Sequence, residues 1–167
     1  MLHGPIPLHP TIERANFDSG KESLDQWFRD HALQAHRAGS TRVFVVHDDN
    51  DATVAFYALS AGSVAPAETP ARVKKGLGSH PVPVALLTRL AVATSNPGQK
   101  LGQALLKDAL RRVDAASIQL GVRCMLAHAK DDQAKAFYMH FGFEPSPVNE
   151  LWLFLLMKDL RKQMGTG

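Results

Sequence analysis

Cysteine is almost missing from this chain: Cys124 is the only one in 167 residues, so no internal disulfide can form and nothing asks for an oxidising compartment. The opening stretch "MLHGPIPLHP" has no basic segment followed by an apolar core, so no secretory signal is expected and the cytoplasm is the expected location. Long apolar runs are missing as well. The longest, "LWLFLLM", falls far short of the roughly 18 to 20 residues that a bilayer crossing needs, and membrane insertion is not expected. There is no internal repeat and no low-complexity segment. Charge of one sign is scarce too: 19 Lys and Arg against 16 Asp and Glu leave +3, too small an excess to name a polyanionic partner by itself.

What remains is an ordinary globular composition. With 45% apolar residues at this length, one domain over residues 1–167 can bury most of its unfolded surface without staples. Leu24, Trp27, Phe28, Ala32 and Ala35 recur at helical spacing after "DSGKES", where Ser19 or Ser23 can cap the start. "RVFVVH" and "TVAFYALS", split by the turn residues "DDNDA", read as a β-hairpin. The following "AGSVAPAETPARVKKGLGSHPVP" is rich in Pro and Gly and reads as a mobile loop up to Val84. Then come a buried strand "VALLTRLAV", a helix "LGQALLKDALRRVDAASIQLG" with Leu105, Ala109, Val113 and Ala116 on one face, and a strand "VRCMLAHA". A short helix "QAKAFYMHFGF" closed by Gly142 and a last strand "LWLFLLM" complete the pattern, and the basic tail "KDLRKQMGTG" is expected to fray. The order α-β-β-β-α-β-α-β predicts an α/β (α+β) fold, a mixed sheet flanked by helices.

One junction holds chemistry. "NPGQKLGQALLKDAL", Asn96 to Leu110, begins with turn residues and ends as an amphipathic helix directly after a strand. Such a strand-turn-helix gathers unpaired backbone N–H groups and the positive end of a helix dipole at one point, where an anion is stabilised. Pro97 and Gly98 can equally serve only to reverse the chain, and the stretch alone leaves both readings open.

Its neighbours add to this. With "RLAV" before the junction and "AKAFYMHFGF" after it, the chain resembles the GNAT N-acetyltransferases over nearly its whole length. In that family the loop after the fourth strand cradles the pyrophosphate of acetyl-CoA. It corresponds here to Pro97, Gly98, Gln99, Lys100, Leu101 and Gly102, with Lys100 where the central glycine is usual and Pro97 where a polar side chain is usual. The resemblance implies a cofactor site made by Leu90, Ala91 and Val92 on the strand, Gly98 to Gln103 at the turn (Gly98, Gln99, Lys100, Leu101, Gly102, Gln103), and Ala136 and Phe137 on the later helix. Five blocks in order, "FDSGKESLDQWF", "GSTRVFVV", "FYALSAGSV", "PVPVALLTRLAV" and "DDQAKAFYMHFGF", look like one branch of the family. These are the toxins of type II toxin–antitoxin modules, which acetylate the amino group of aminoacyl-tRNA and stop translation. Ala93 stands where that branch usually has Asp. The branch implies an aminoacyl-tRNA substrate, a cognate antitoxin and a homodimer. A small amine or a protein N-terminus is the alternative acceptor, and a cofactor-free binding module the alternative class.

Transfer of an acetyl group from a thioester to an amine needs an acceptor for the amine proton, donors for the developing oxyanion and a donor for the departing sulfur. Tyr138 occupies the position that in resembling enzymes points a phenol at that sulfur. A phenol near pKa 10 gives its proton to a thiolate near 8.5 only at a cost of about 2 kcal/mol, so Tyr138 is expected to act chiefly as a hydrogen-bond donor. The resemblance also implies the Val92 N–H as oxyanion donor. No general base stands out: Glu68 and His80 fall in the presumed loop, and His31, His36, His128 and His140 are scattered. An α-amine, with a pKa of about 8 against about 10.4 for lysine, needs the least help from one. No metal is expected. For RNA phosphates the chain offers Arg29, Arg37 and Arg42, Lys74 and Lys75, and Arg161 and Lys162. Of these, Arg29, Arg37, Lys74 and Lys75 are the expected contacts, and binding through them should weaken with salt.

Overall fold

The computed structural model describes residues 1–97 and 99–165, the side chain of Gln99 excepted. Seven strands form one mixed sheet: β1 (His3–Pro7), β2 (Arg42–His47), β3 (Thr53–Val64), β4 (Val82–Val92), β5 (Cys124–His128), β6 (Glu144–Pro145) and β7 (Trp152–Leu156). Hydrogen-bonded neighbours follow the order β1-β2-β3-β4-β5-β7-β6. The helices are α1 (Glu22–Asp30), α2 (Ala32–Ala38), α3 (Ala71–Lys74), α4 (Gln99–Ala116), α5 (Asp132–His140) and α6 (Met157–Gln163). The chain divides into two compact units, Met1–Ser60 with Thr88–Ala109, and Ala61–Leu87 with Leu110–Gly167.

In the first unit β1, β2 and β3 are antiparallel, with Val45 opposite Phe56 and Phe44 opposite Tyr57. Successive side chains point to opposite faces of a strand. Val43, Val45, Phe56 and Ala58 therefore share one face, packed under Phe17, Leu24 and Phe28. The rings of Phe28 and Phe56 stack at 4.2 Å and 14°, and Phe17 meets Phe28 edge-on at 5.1 Å. On the other face Tyr57 stacks against Phe44, and its hydroxyl donates to the buried carboxylate of Asp108 on α4.

Several expectations need correction here. The first helical pattern forms two helices, α1 and α2, interrupted at His31. Neither Ser19 nor Ser23 caps it: Lys21 is the N-cap and makes no side-chain cap hydrogen bond. Ser19 instead donates its N–H and its hydroxyl to Asp25, at 3.0 and 2.6 Å. A carboxylate only 2% exposed must have its acceptors filled, and this use of the serine outweighs capping. Strand β1 was not anticipated, because Pro5 and Pro7 break its pattern. Proline is tolerated on an edge strand, and β1 is one.

In the second unit β5 pairs in parallel with β4, Val84 to Leu87 opposite Cys124 to Ala127, and antiparallel with β7. Val64, Val73, Val82, Val84, Cys124, Leu126 and Phe154 form its core. Burial pushes the Cys124 thiol up to about 12, so it stays protonated at neutral pH and is no nucleophile. The stretch read as a mobile loop is built: β3 runs on to Val64, Pro66–Glu68 makes one 3₁₀ turn, and α3 buries Val73 completely. Elements of three and four residues hold too few apolar positions to show a period. The tail also forms a helix, α6, because Leu160 and Met157 are buried, and a lone leucine among charges gave no sign of it. Helix α4 ends at Ala116, which is exposed, so only Leu105, Ala109 and Val113 of the predicted face are buried.

Candidate active site

The predicted cofactor residues fall in both units, and each group stands on its own structure. In the first unit, β4 ends at Leu90, Ala91 and Val92, with Ala91 buried and the other two half-buried. The chain leaves the strand along a fixed path: the Ala93 N–H donates to Val54 O at 2.8 Å, that of Thr94 to Asp18 O at 2.9 Å, and that of Asn96 back to Ala93 O at 3.0 Å. Helix α4 then opens at Gln99 and runs through Lys100, Leu101, Gly102 and Gln103. Lys100 is exposed, Leu101 and Gln103 half-buried, and Gly102 buried. The predicted contact at Gly98 lies outside the described residues. The first N–H groups of a helix lack intrahelical partners and carry the positive end of its dipole. Buried Leu105, Leu106 and Ala109, with the Tyr57–Asp108 hydrogen bond, seat α4 firmly. A cation on the first turn in place of glycine adds charge suited to a pyrophosphate, so the residues present fit that group.

The two basic residues predicted in this unit differ. Arg29 is committed within the fold, donating to Phe17 O at 3.0 Å and pairing with Glu22 at 2.8 Å. Arg37 is exposed. Sequence reading missed Arg89, whose guanidinium lies 3.9 Å over the ring of Trp27. It is half-buried, and desolvation lowers its pKa. Sixty-odd residues separate the pair, so no local pattern could have linked them. His36 accepts the Val43 N–H on Nδ1 at 3.0 Å, and burial together with nearby Arg42 holds its pKa below the ordinary value. It is a structural acceptor and not a base.

In the second unit α5 carries Ala136, Phe137 and Tyr138. Asp131 caps its start, accepting from the Ala134 N–H at 2.9 Å. Past its end Gly142 takes φ +92, where a Cβ would also meet Gln163 at 2.9 Å. Ala136 is exposed and Phe137 half-buried, whereas Tyr138 is 6% exposed. Its ring packs 5.3 Å from Phe137 and 5.3 Å from Phe143. The phenol makes no hydrogen bond to another described residue, so its O–H is available to a ligand. Burial pushes its pKa above the ordinary 10.0. That raises the cost of releasing the proton and favours hydrogen-bond donation. Lys74 is engaged by Pro66 O at 3.0 Å, and Lys75 is exposed.

A model of the acetyltransferase (GNAT) domain matches residues 39–145. The chain is 48% identical over 161 residues to a tRNA-acetylating toxin of Mycobacterium tuberculosis, the match covering 96% of each. Among solved structures, AtaT complexed with acetyl-methionyl-tRNAfMet superposes with a TM-score of 0.86 at 24% identity, over 97% of both chains. A tyrosine-to-phenylalanine mutant of the toxin AtaT, bound to the C-terminus of the antitoxin AtaR and acetyl-CoA, gives 0.81 at 23% identity over 99% of this chain and 97% of that one.

Proposed function

This chain belongs to the GNAT family of acetyltransferases, and from that premise we propose that it transfers acetyl from acetyl-CoA to the α-amine of an aminoacyl-tRNA. It thereby blocks translation as the toxin of a toxin–antitoxin pair. The observation that carries this reading is the 48% identity to a tRNA-acetylating toxin across nearly the whole of both chains. We read residues 1–167 as one acetyltransferase domain acting in the cytoplasm as a homodimer, neutralised by a cognate antitoxin.

Acetyl-CoA supplies the acetyl group as an activated thioester. The roles of this chain's own residues follow from their placement. Backbone N–H groups of the first turn of α4, Gln99 to Gly102 with Gln103, would receive the pyrophosphate, and the exposed Lys100 would add a positive charge; Gly98, also expected there, lies outside the described residues. The main chain of Leu90, Ala91 and Val92 at the end of β4 would hold the cofactor arm, with the Val92 N–H as the donor to the developing oxyanion. Ala136 and Phe137 of α5 would add apolar contacts to the cofactor. Tyr138, held protonated by burial, would donate a hydrogen bond to the leaving sulfur. His36 is occupied by a backbone N–H, and an acceptor that is partly neutral at physiological pH suits a site of this kind. Arg37 and Lys75 are the contacts to RNA that remain once Arg29 and Lys74 are committed to the fold.

Lys100→Glu places an anion beside the pyrophosphate seat and should weaken acetyl-CoA binding at least tenfold, read by titration calorimetry. Unchanged affinity would remove Lys100 from the site. The function itself is tested in cell-free translation: the protein with acetyl-CoA should stop product formation, and the protein without acetyl-CoA should not. A block independent of acetyl-CoA would refute the enzymatic reading.

A further inference from the structure

The second unit contains a basic cleft that the acetyl-transfer machinery does not use. It has a volume of about 780 Å³, and its charged walls are Arg72, Lys75, Arg123, Lys158 and Arg161. Among the described residues no acidic side chain lines it. Carboxylates just outside offset part of the charge: Asp159 holds Arg72 through 2.6 and 3.3 Å contacts, Glu144 acts on Arg72 from farther off, and Asp114 holds Arg161 Nε at 2.9 Å. Arg123 donates to the carbonyls of Val73 and Lys75, at 2.7 and 3.0 Å, which fixes it without cancelling its charge. The exposed Lys75 and Lys158 have no ion pair among the described residues. The cations lining the cleft therefore outnumber the carboxylates seen to offset them.

The cleft opens beside Val122 and Arg123, just ahead of β5. Ammonium and guanidinium groups without competing carboxylates suit phosphodiester oxygens. We propose that this cleft, whose wall includes the exposed Lys75, binds the phosphate backbone of the RNA acceptor. The proposal rests on the reading that the acceptor is a charged tRNA.

The test uses the full-length protein and uncharged tRNA, so that acetylation does not enter the readout. Lys75→Glu with Lys158→Glu should lower tRNA affinity at least tenfold at low salt. It should also flatten the dependence of log affinity on log salt by about 1.4 to 1.8, the loss of two phosphate contacts. Acetyl-CoA affinity should stay within about twofold of wild type, which also reports an intact fold. Lys75→Arg with Lys158→Arg should restore tRNA binding. Wild-type affinity and slope in the Glu double variant would overturn the proposal. So would unchanged tRNA binding with lost neutralisation by the antitoxin, which would assign the cleft to an acidic protein segment. A wild-type protein that binds no tRNA would overturn the functional reading and this site with it.

Discussion

Tyr138→Phe should lower turnover on charged tRNA by about 10² to 10³ while leaving folding and acetyl-CoA affinity nearly unchanged. The ring is buried between Phe137 and Phe143, 5.3 Å from each, and phenylalanine keeps that volume. The lost hydroxyl bonds to no other described residue, so its removal leaves no buried partner unsatisfied. The effect is thus confined to the chemical step. The pH profile carries a further expectation. A phenol held above its ordinary 10.0 by burial keeps its proton throughout the neutral and mildly alkaline range, so Tyr138 causes no alkaline decline in rate below about pH 10. In the unfolded chain the phenol titrates at its ordinary value. Stability from this group is therefore complete below pH 10 and falls as pH rises beyond it. Steady-state rates and melting curves of the purified variant decide the matter: wild-type turnover would end the assignment.

The largest effect on stability is expected at Phe28. Its side chain is fully buried, stacked at 4.2 Å on Phe56 and edge-on to Phe17 at 5.1 Å. It pins α1 to the face of the sheet formed by β2 and β3. Phe28→Ala should cost about 3 to 5 kcal/mol, the usual price of a large cavity in an aromatic core. Against a typical total of about 5 to 15 kcal/mol, that brings the protein close to unfolding at physiological temperature. Phe28→Leu, which keeps most of the volume, should cost markedly less. Denaturant melts measure both, and a loss under 1 kcal/mol for the alanine variant would mean that α1 is held elsewhere.

Why some of this could be read from sequence and some could not follows from the range over which each feature is encoded. Val43 to Val46 and Val54 to Ala58 are dense in β-formers, and both strands form as expected. The amphipathic spacing of Leu105, Ala109 and Val113 located α4. Features carried by one or two apolar residues escaped, as with Val73 in α3 and Leu160 in α6, because a single buried position has no period. Contacts between distant residues escaped for another reason. Nothing near Arg89 signals that Trp27 will lie beneath it, nothing near Tyr57 points to Asp108, and the cleft gathers its cations from α3, the approach to β5 and α6. Tyr138 was found through the resemblance of its segment to a family. Its burial and the pKa shift that goes with it came only from the folded chain.

The most direct measurement mixes the purified protein with a charged tRNA and acetyl-CoA labelled in the acetyl group, then digests the RNA and identifies the labelled product by mass spectrometry. Label should appear on the α-amine of the aminoacyl-adenosine from charged tRNA, with none on the same tRNA stripped of its amino acid. Label on neither RNA, alongside efficient transfer to a free amine or to a protein N-terminus, would contradict aminoacyl-tRNA as the acceptor.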